Sequence, residues 1–206
     1  MKKTIYFMRH SIPLKGINHD FNSDTLLETN MKSILSLEGE RLAEEISKYD
    51  EFKSLDFVVS SNYVRSMSTA KYFLNEKTDF AVIDLFGERR HGINSWDELP
   101  EDFERKQFED YDYKVGNGES LNEVKDRMQR GLSLLLFNYD FENIMVVSHG
   151  TAIASLLSTW CEVNYGGIYK FKDEKFFDGK WHHLECFKLE FVDKELVNVE
   201  NLNFNL

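Results

Sequence analysis

Short apolar runs alternate with segments of helical period along the chain. Thr4–Met8 (TIYFM), Leu55–Ser60 (LDFVVS), Phe80–Asp84 (FAVID) and Asn143–Ser148 (NIMVVS) are rich in β-branched and aromatic residues and predict buried strands. Between them, Leu42, Ile46 and Tyr49 fall on one face of a helix that Ser36 can cap. Met67, Ala70, Phe73 and Leu74 do the same after the second run. Leu121, Val124, Met128, Leu132 and Leu135 line a long helix that opens on Ser120 and Glu123, the separation of a capping box. A last helix is expected from about Thr151 to Trp160. Leu184–Phe191 and Leu196–Val199, either side of Val192–Glu195, read as a closing hairpin.

Strands alternating with helices predict an α/β fold, a three-layer α/β/α sandwich with a mainly parallel sheet and a C-terminal β-hairpin. The absence of a Ser/Gly-rich run or recurring period points to a single domain over residues 1–206. Stretches 11–35 and 86–118 carry no clear period and are expected to be irregular insertions, which are often functional.

Composition narrows the partners. At 42% hydrophobic and 14% aromatic, the 206-residue chain is not intrinsically disordered. Lys and Arg number 25 against 36 Asp and Glu, a formal net charge of −11. Such a surface repels phosphate backbones at long range, which argues against nucleic acid and anionic membranes as partners. A small anion remains possible, because a pocket can oppose the global field. The apolar run Ile5–Met8 stops at Arg9 and is too short for a signal-peptide core or a membrane span. Cys161 and Cys186 have no metal-type spacing and suit free thiols in a reducing compartment. A soluble, cytoplasmic protein is expected.

In open α/β sheets, ligands bind beyond the carboxyl ends of the strands. Arg9-His10-Ser11 comes after the first predicted strand, and Ser60-Ser61-Asn62-Tyr63-Val64-Arg65 after the second. Gly87-Glu88-Arg89-Arg90-His91-Gly92 comes after the third, and Ser148-His149-Gly150-Thr151 after the fourth. Singly, a histidine or arginine in such a place is most often structural or merely solvated. Their convergence on one sheet edge is the signal. Arginine forks match phosphate oxygens and stay charged, imidazoles add donors, and a helix opening at His149-Gly150-Thr151 favours an anion. A neutral imidazole flanked by cations, which lower its pKa, can also attack phosphorus.

Thr4–Ser11 (TIYFMRHS), Ser60–Ala70 (SSNYVRSMSTA), Gly118–Leu121 (GESL) and Val146–Gly150 (VVSHG) together resemble the histidine phosphatase superfamily, or phosphoglycerate mutase-like family. The resemblance covers nearly the whole chain in order. It implies a phosphomonoester hydrolase acting on a small phosphorylated metabolite. His10 would be the phosphorylated nucleophile, with Arg9, Arg65 and His149 holding the phosphoryl oxygens. Glu88 would protonate the leaving alkoxide and then take a proton from the attacking water, with Asp84, Asp97 and Glu98 as alternatives. No metal and no cofactor would be required. Ser11 stands where the family usually has glycine and could add a hydroxyl donor, while Asn18 lies near the family's asparagine phosphate ligand. The acidic stretch Asp97–Asp112 would border the substrate mouth.

Two other activities fit the same residues. One is a mutase, with an arginine of Glu88-Arg89-Arg90 on a substrate carboxylate; the short stretch from Glu88 to His149 leaves less structure to exclude water and favours hydrolysis. The other is a non-catalytic phospholigand binder on the same fold. His182, His183, Glu185 and Cys186 suggest a metal cluster, but adjacent strand residues point to opposite faces. Aromatics near the tail leave a homodimer open.

Overall fold

In a computed structural model of the chain, which describes residues 2–15 and 25–204, strict alternation along β1 (Lys2–Arg9) sends Ile5 and Phe7 to one side of a sheet and Tyr6 and Met8 to the other. β2 (Phe57–Ser60) and β4 (Asn143–Ser148) do the same, with Phe57, Val59, Ile144 and Val146 on one side and Val58, Met145 and Val147 on the other. Each side therefore needs its own helical cover. α5 (Leu121–Phe137) and α6 (Gly150–Leu157) supply one through Val124, Met128, Leu132, Ile153 and Leu156. α2 (Leu37–Ser47) and α3 (Val64–Ala70) supply the other through Ala43, Ile46 and Ala70. The result is an α/β/α sandwich.

The six-stranded sheet runs β3-β2-β4-β1-β7-β8, with β3 spanning Asp79–Val82, β7 Cys186–Val192 and β8 Glu195–Leu202. β1 to β4 are mutually parallel, whereas β7 is antiparallel to β1 and pairs with β8 as the expected hairpin. Asp193 and Lys194 turn that hairpin with φ of 49° and 75°. The long helix α5 starts as its sequence predicts: Ser120 and Glu123 form a reciprocal capping box. No described helix is long and apolar enough to cross a membrane. Cys161 and Cys186 are buried free thiols.

Several sequence expectations need correction. β3 is not buried: it forms the sheet edge, with Phe80 44% and Val82 46% exposed, since an apolar run alone does not distinguish edge from centre. The stretches read as irregular contain α1 (Leu26–Lys32) and α4 (Phe103–Glu109), two helices too short to show a period. The helix after β2 ends at Ala70 and continues as a 3₁₀ turn over Lys71–Phe73, which leaves Leu74 partly exposed. A second hairpin, β5 (Tyr169–Phe171) with β6 (Glu174–Phe177), went unread because Lys172 and Asp173 make its turn at φ of 49° and 66° without the usual Gly or Asn.

Ser11, the first residues of α2 and the body of α3 are stitched together behind the end of β1. The Ser11 hydroxyl donates to Gly39 O at 2.7 Å and its amide donates to Thr69 Oγ1 at 3.0 Å. Ile12 passes so close to α2 that a Cβ on Gly39 would stand 2.2 Å from Ile12 O. Gly39→Ala should therefore cost about 1–3 kcal/mol of stability through forced displacement of that loop. An unchanged urea midpoint would show that the loop yields freely.

Candidate active site

Parallel strands present their carboxyl ends on one edge, and the antiparallel β7 presents its amino end there. Arg9, Ser60 and Ser148 thus finish level with one another, and the run His182–Glu185 arrives beside them, Glu185 O accepting from Arg9 N at 2.8 Å. Leu184 holds that run at a φ of 60°, an unfavourable conformation for a branched residue, and His183 comes to 6.0 Å ring to ring from His10.

Arg65, carried in on the first turn of α3, joins the two histidines. Its Nε donates to His10 Nε2 at 2.9 Å and its Nη2 to His149 Nδ1 at 3.2 Å. Its Nη1 donates to the carbonyl and side-chain oxygens of Asn30 in α1, at 2.6 and 3.1 Å. Arg65 and His10 are 5% exposed and His149 is fully buried, 5.2 Å from His10 between ring centres. Tyr63 packs against both Arg65 and His149.

These contacts fix the tautomers. A guanidinium only donates, so His10 Nε2 and His149 Nδ1 accept and carry lone pairs. Ser11 O only accepts, so His10 Nδ1 carries the proton and donates to it at 2.7 Å. His149 Nε2–H faces the Ser61 hydroxyl at 2.9 Å and that of Ser66 at 3.3 Å. Both rings are neutral. Burial, then the positive charge of Arg65, pushes the His10 pKa well below its usual value, and Arg9 adds to this. Burial dominates for His149 too, followed by His10 and Arg65.

Glu88 is the carboxylate that reaches this group, with Oε2 3.9 Å from His149 Nδ1 and Oε1 accepting from Arg89 N at 2.8 Å. Its backbone is clamped from α5. Arg127 Nη1 donates to Leu85 O and Gly87 O, both at 2.8 Å, and Nη2 donates to Glu88 O at 3.1 Å. Glu119 of the GESL run holds Arg127 in turn, through Nε at 2.8 Å and Nη2 at 3.1 Å. Asp84 faces a different hollow with Asn62 and Arg127, and Asp97 and Glu98 line neither.

Beside the histidines opens a cavity of about 420 Å³, which Arg9, Glu88 and Gly150 share with the cluster. Its farther walls are formed by Arg89, His91, Glu104, Phe108, Tyr165, Tyr169 and Trp181. Thr151, in the first turn of α6, contributes to the near wall, where helix amides lack intrahelical partners. The geometry offers two guanidinium forks, two imidazoles and a helix start around one point, with a carboxylate at the boundary to the cavity. That inventory suits a phosphoryl group bound at the cluster and an organic body in the cavity. Among the described residues, no group of three or more His, Cys, Asp or Glu is placed to hold a metal ion.

The structure thus brings together Arg9, His10, Arg65, Glu88 and His149. Ser11 lies against His10, but its one hydroxyl proton is committed to Gly39, so the expected extra donor to an anion is not available. Asn18 lies outside the described residues. Sequence reasoning missed Asn30, Ser61 and Ser66, which carry no pattern of their own, and Arg127, whose only signal was its place on the helix after Glu119. It considered His183 only as a metal ligand.

The profile of the histidine phosphatase superfamily (branch 1) matches residues 5–185. The uncharacterized phosphatase PhoE of Bacillus subtilis is 32% identical over 126 residues, 60% of this chain and 63% of that protein, so the match spans less than two thirds of the relative. A probable phosphoglycerate mutase, GpmB of Cronobacter sakazakii, is 24% identical over 168 residues, 75% of this chain and 73% of that one. Among solved structures, a mycobacterial glucosyl-3-phosphoglycerate phosphatase superposes with a TM-score of 0.69 at 16% identity, covering 98% of this chain and 97% of that one. A putative alpha-ribazole-5'-P phosphatase from Escherichia coli gives 0.67 at 18% identity, covering 98% and 96%. At these identities the structures share the fold.

The depressed histidines have a consequence for stability. His91 and His183, like His10 and His149, hold pKa values below the usual range, both pushed down to about 4, chiefly by burial. The unfolded chain protonates these rings near pH 6.5, as free imidazoles do, while the folded chain stays neutral to lower pH. The unfolded state therefore binds more protons below about pH 6.5, and stability falls as pH falls. Urea midpoints should decrease steadily from pH 7 to pH 5, with a shallower slope in His183→Gln. A midpoint independent of pH over that range would contradict the neutral cluster.

Proposed function

We propose that this chain, which belongs to the histidine phosphatase superfamily (branch 1), hydrolyses phosphomonoesters through a phosphohistidine on His10 without a metal ion. The observation that carries the reading is the neutral His10 ring, held by its Nδ1–H on Ser11 O and presenting the Nε2 lone pair to Arg65 at 2.9 Å. That lone pair is the nucleophile.

A phosphoryl oxygen is a stronger acceptor than an imidazole nitrogen. On substrate binding, the Arg65 fork turns from the rings to the phosphoryl oxygens, joined by Arg9, and releases Nε2 for attack. The charge of the dianion also opposes the depression of the His149 pKa. His149 Nδ1 then takes the proton that a monoanionic phosphoryl group brings in, hydrogen-bonds back to that oxygen and returns the proton when phosphate departs, while Nε2–H stays on Ser61. As the Nε2–P bond forms and the P–O bond to the leaving group breaks, Glu88 delivers its proton to the departing alkoxide. Water then attacks phosphorus and gives a proton to Glu88. The Nε2–P bond breaks, and phosphate departs with His10 neutral again. The guanidinium groups supply the fixed positive charge that stabilises the transferring group.

A mutase reading has the probable phosphoglycerate mutases behind it, but the arginines it needs are engaged. Arg89 is 2% exposed and bound to Gln107, His91 and Glu104, and Arg90 pairs with Glu119. Hydrolysis is the better supported activity.

Incubation with a labelled phosphomonoester followed by rapid quench should trap acid-labile phosphate on the wild type and none on His10→Ala, and a chelator should leave the turnover rate unchanged. Undiminished turnover by His10→Ala would overturn the proposal. Glu88→Gln should slow alkyl phosphates, which need a proton on the leaving group, by about 10²-fold or more. It should slow p-nitrophenyl phosphate far less. Arg127→Met should reproduce this selectivity at about tenfold for alkyl substrates, because it frees the Glu88 backbone rather than the phosphoryl ligands. Equal loss on both substrate types would show that Arg127 acts on the whole fold instead.

A further inference from the structure

Resting on the hydrolase reading, the cavity beside the cluster says what kind of leaving group the site takes. The phosphoryl end is strongly cationic, with Arg9 and Arg65 converging on it. The far end is not. Among the described residues its one cation is Arg89, which gives Nη1 to Gln107 Oε1 at 2.7 Å and Nη2 to His91 Nε2 at 2.9 Å and to Glu104 Oε1 at 3.3 Å. Its guanidinium lies over the Phe103 ring, and its Nε is buried. Glu104 balances its charge, and His91 stacks edge-on against Trp96. No described cation at this end faces the cavity free to receive a second carboxylate or phosphate.

The remaining walls are aromatic. Phe108 of α4 and Tyr165 stand together at 5.6 Å between ring centres. Trp181 and Tyr169 form a second pair in the lining, tied by the indole N–H on the Tyr169 hydroxyl at 3.2 Å. Two aromatic pairs around about 420 Å³ offer faces and edges for stacking. Tyr165 is 52% exposed, an exposed aromatic ring at the mouth of the cavity.

We propose that the site selects phosphomonoesters whose body is an uncharged, ring-bearing group, with Tyr165 and Phe108 as its specificity-determining residues, and discriminates against substrates that carry a second anion. Binding places the phosphoryl group at His10 and Arg9 and the ring against the aromatic walls.

Three substrates with alkoxide leaving groups separate the possibilities: 2-phenylethyl phosphate, butyl phosphate and 3-phosphoglycerate. Wild-type kcat/KM should favour 2-phenylethyl phosphate over each of the others by about tenfold, the size of one good aromatic contact. Tyr165→Ala should bring 2-phenylethyl phosphate down towards butyl phosphate, mainly through KM. Equal kcat/KM for all three in the wild type, preference for 3-phosphoglycerate, or a ring preference undiminished in Tyr165→Ala would overturn the assignment while leaving hydrolysis intact. No turnover of any of them, together with no phosphate on His10, would overturn the hydrolase reading and this assignment with it.

Discussion

Arg65 carries a positive charge into a position that is 5% exposed, where an unpaired ion costs several kcal/mol. The cost is met by hydrogen bonds rather than by a touching carboxylate: His10, Asn30 and His149 take the three nitrogens of the guanidinium. Much of the site stems from that arrangement. Because the guanidinium can only donate, both imidazoles must offer it lone pairs, and because its charge is little screened, neither ring readily takes up a proton. A neutral imidazole with its lone pair aimed into the cluster is thus the direct electrostatic result of burying one arginine between two histidines. The guanidinium is also poised to bind something better. Its present acceptors are neutral, and an anion in reach would outcompete them.

Support for Glu88 is built separately. Gly118 passes close enough to His91 that a Cβ there would stand 2.5 Å from His91 O, and Glu119 then reaches Arg127 and Arg90 while Ser120 caps α5. Successive residues thus bring the loop after β3 against α5, brace its arginine and start the helix that carries it. Arg127 spends its other hydrogen bonds on the carbonyls of Leu85, Gly87 and Glu88. Glu88 and His10 consequently lean on different elements, α5 and α3, held at a fixed separation by the sheet between their layers. A shift in one need not move the other, which is why a substitution can displace Glu88 and leave the His10 ring in place.

This division explains which site residues were legible in the sequence. Arg9, His10 and His149 stood out because they come directly after strands whose apolar runs are unmistakable, and parallel strands put their carboxyl ends together. Arg65 was legible only by being near the end of β2. His183 suggested no more than a metal ligand because it precedes its strand. A parallel strand brings the residues after it to the site edge, whereas the antiparallel β7 brings the residues before it. Asn30 sits on a seven-residue helix with no buried residues, so no periodicity could place it, and nothing in its neighbourhood predicts that Arg65 would lean on it. Short-range patterns expose the sheet edge. The contacts that tune it are long-range, between residues 35 and 84 positions apart.

The net charge of −11 and the cationic cluster are likewise consequences of distance. Exposed carboxylates such as Asp102 and Glu109 are paired with Arg105 or screened by salt within about 8–10 Å, so they shape encounters rather than events at His10. Inside, screening is weak and a few fixed groups decide. At the phosphoryl end those groups are unbalanced cations, which read charge. At the body end Arg89 and Glu104 cancel, and shape and aromatic surface are left to discriminate. On the proposed function, one site separates the recognition common to every phosphomonoester from the recognition that distinguishes one from another. Substitutions at the far walls can then redirect specificity without touching the chemistry, because no charge there contributes to the attack.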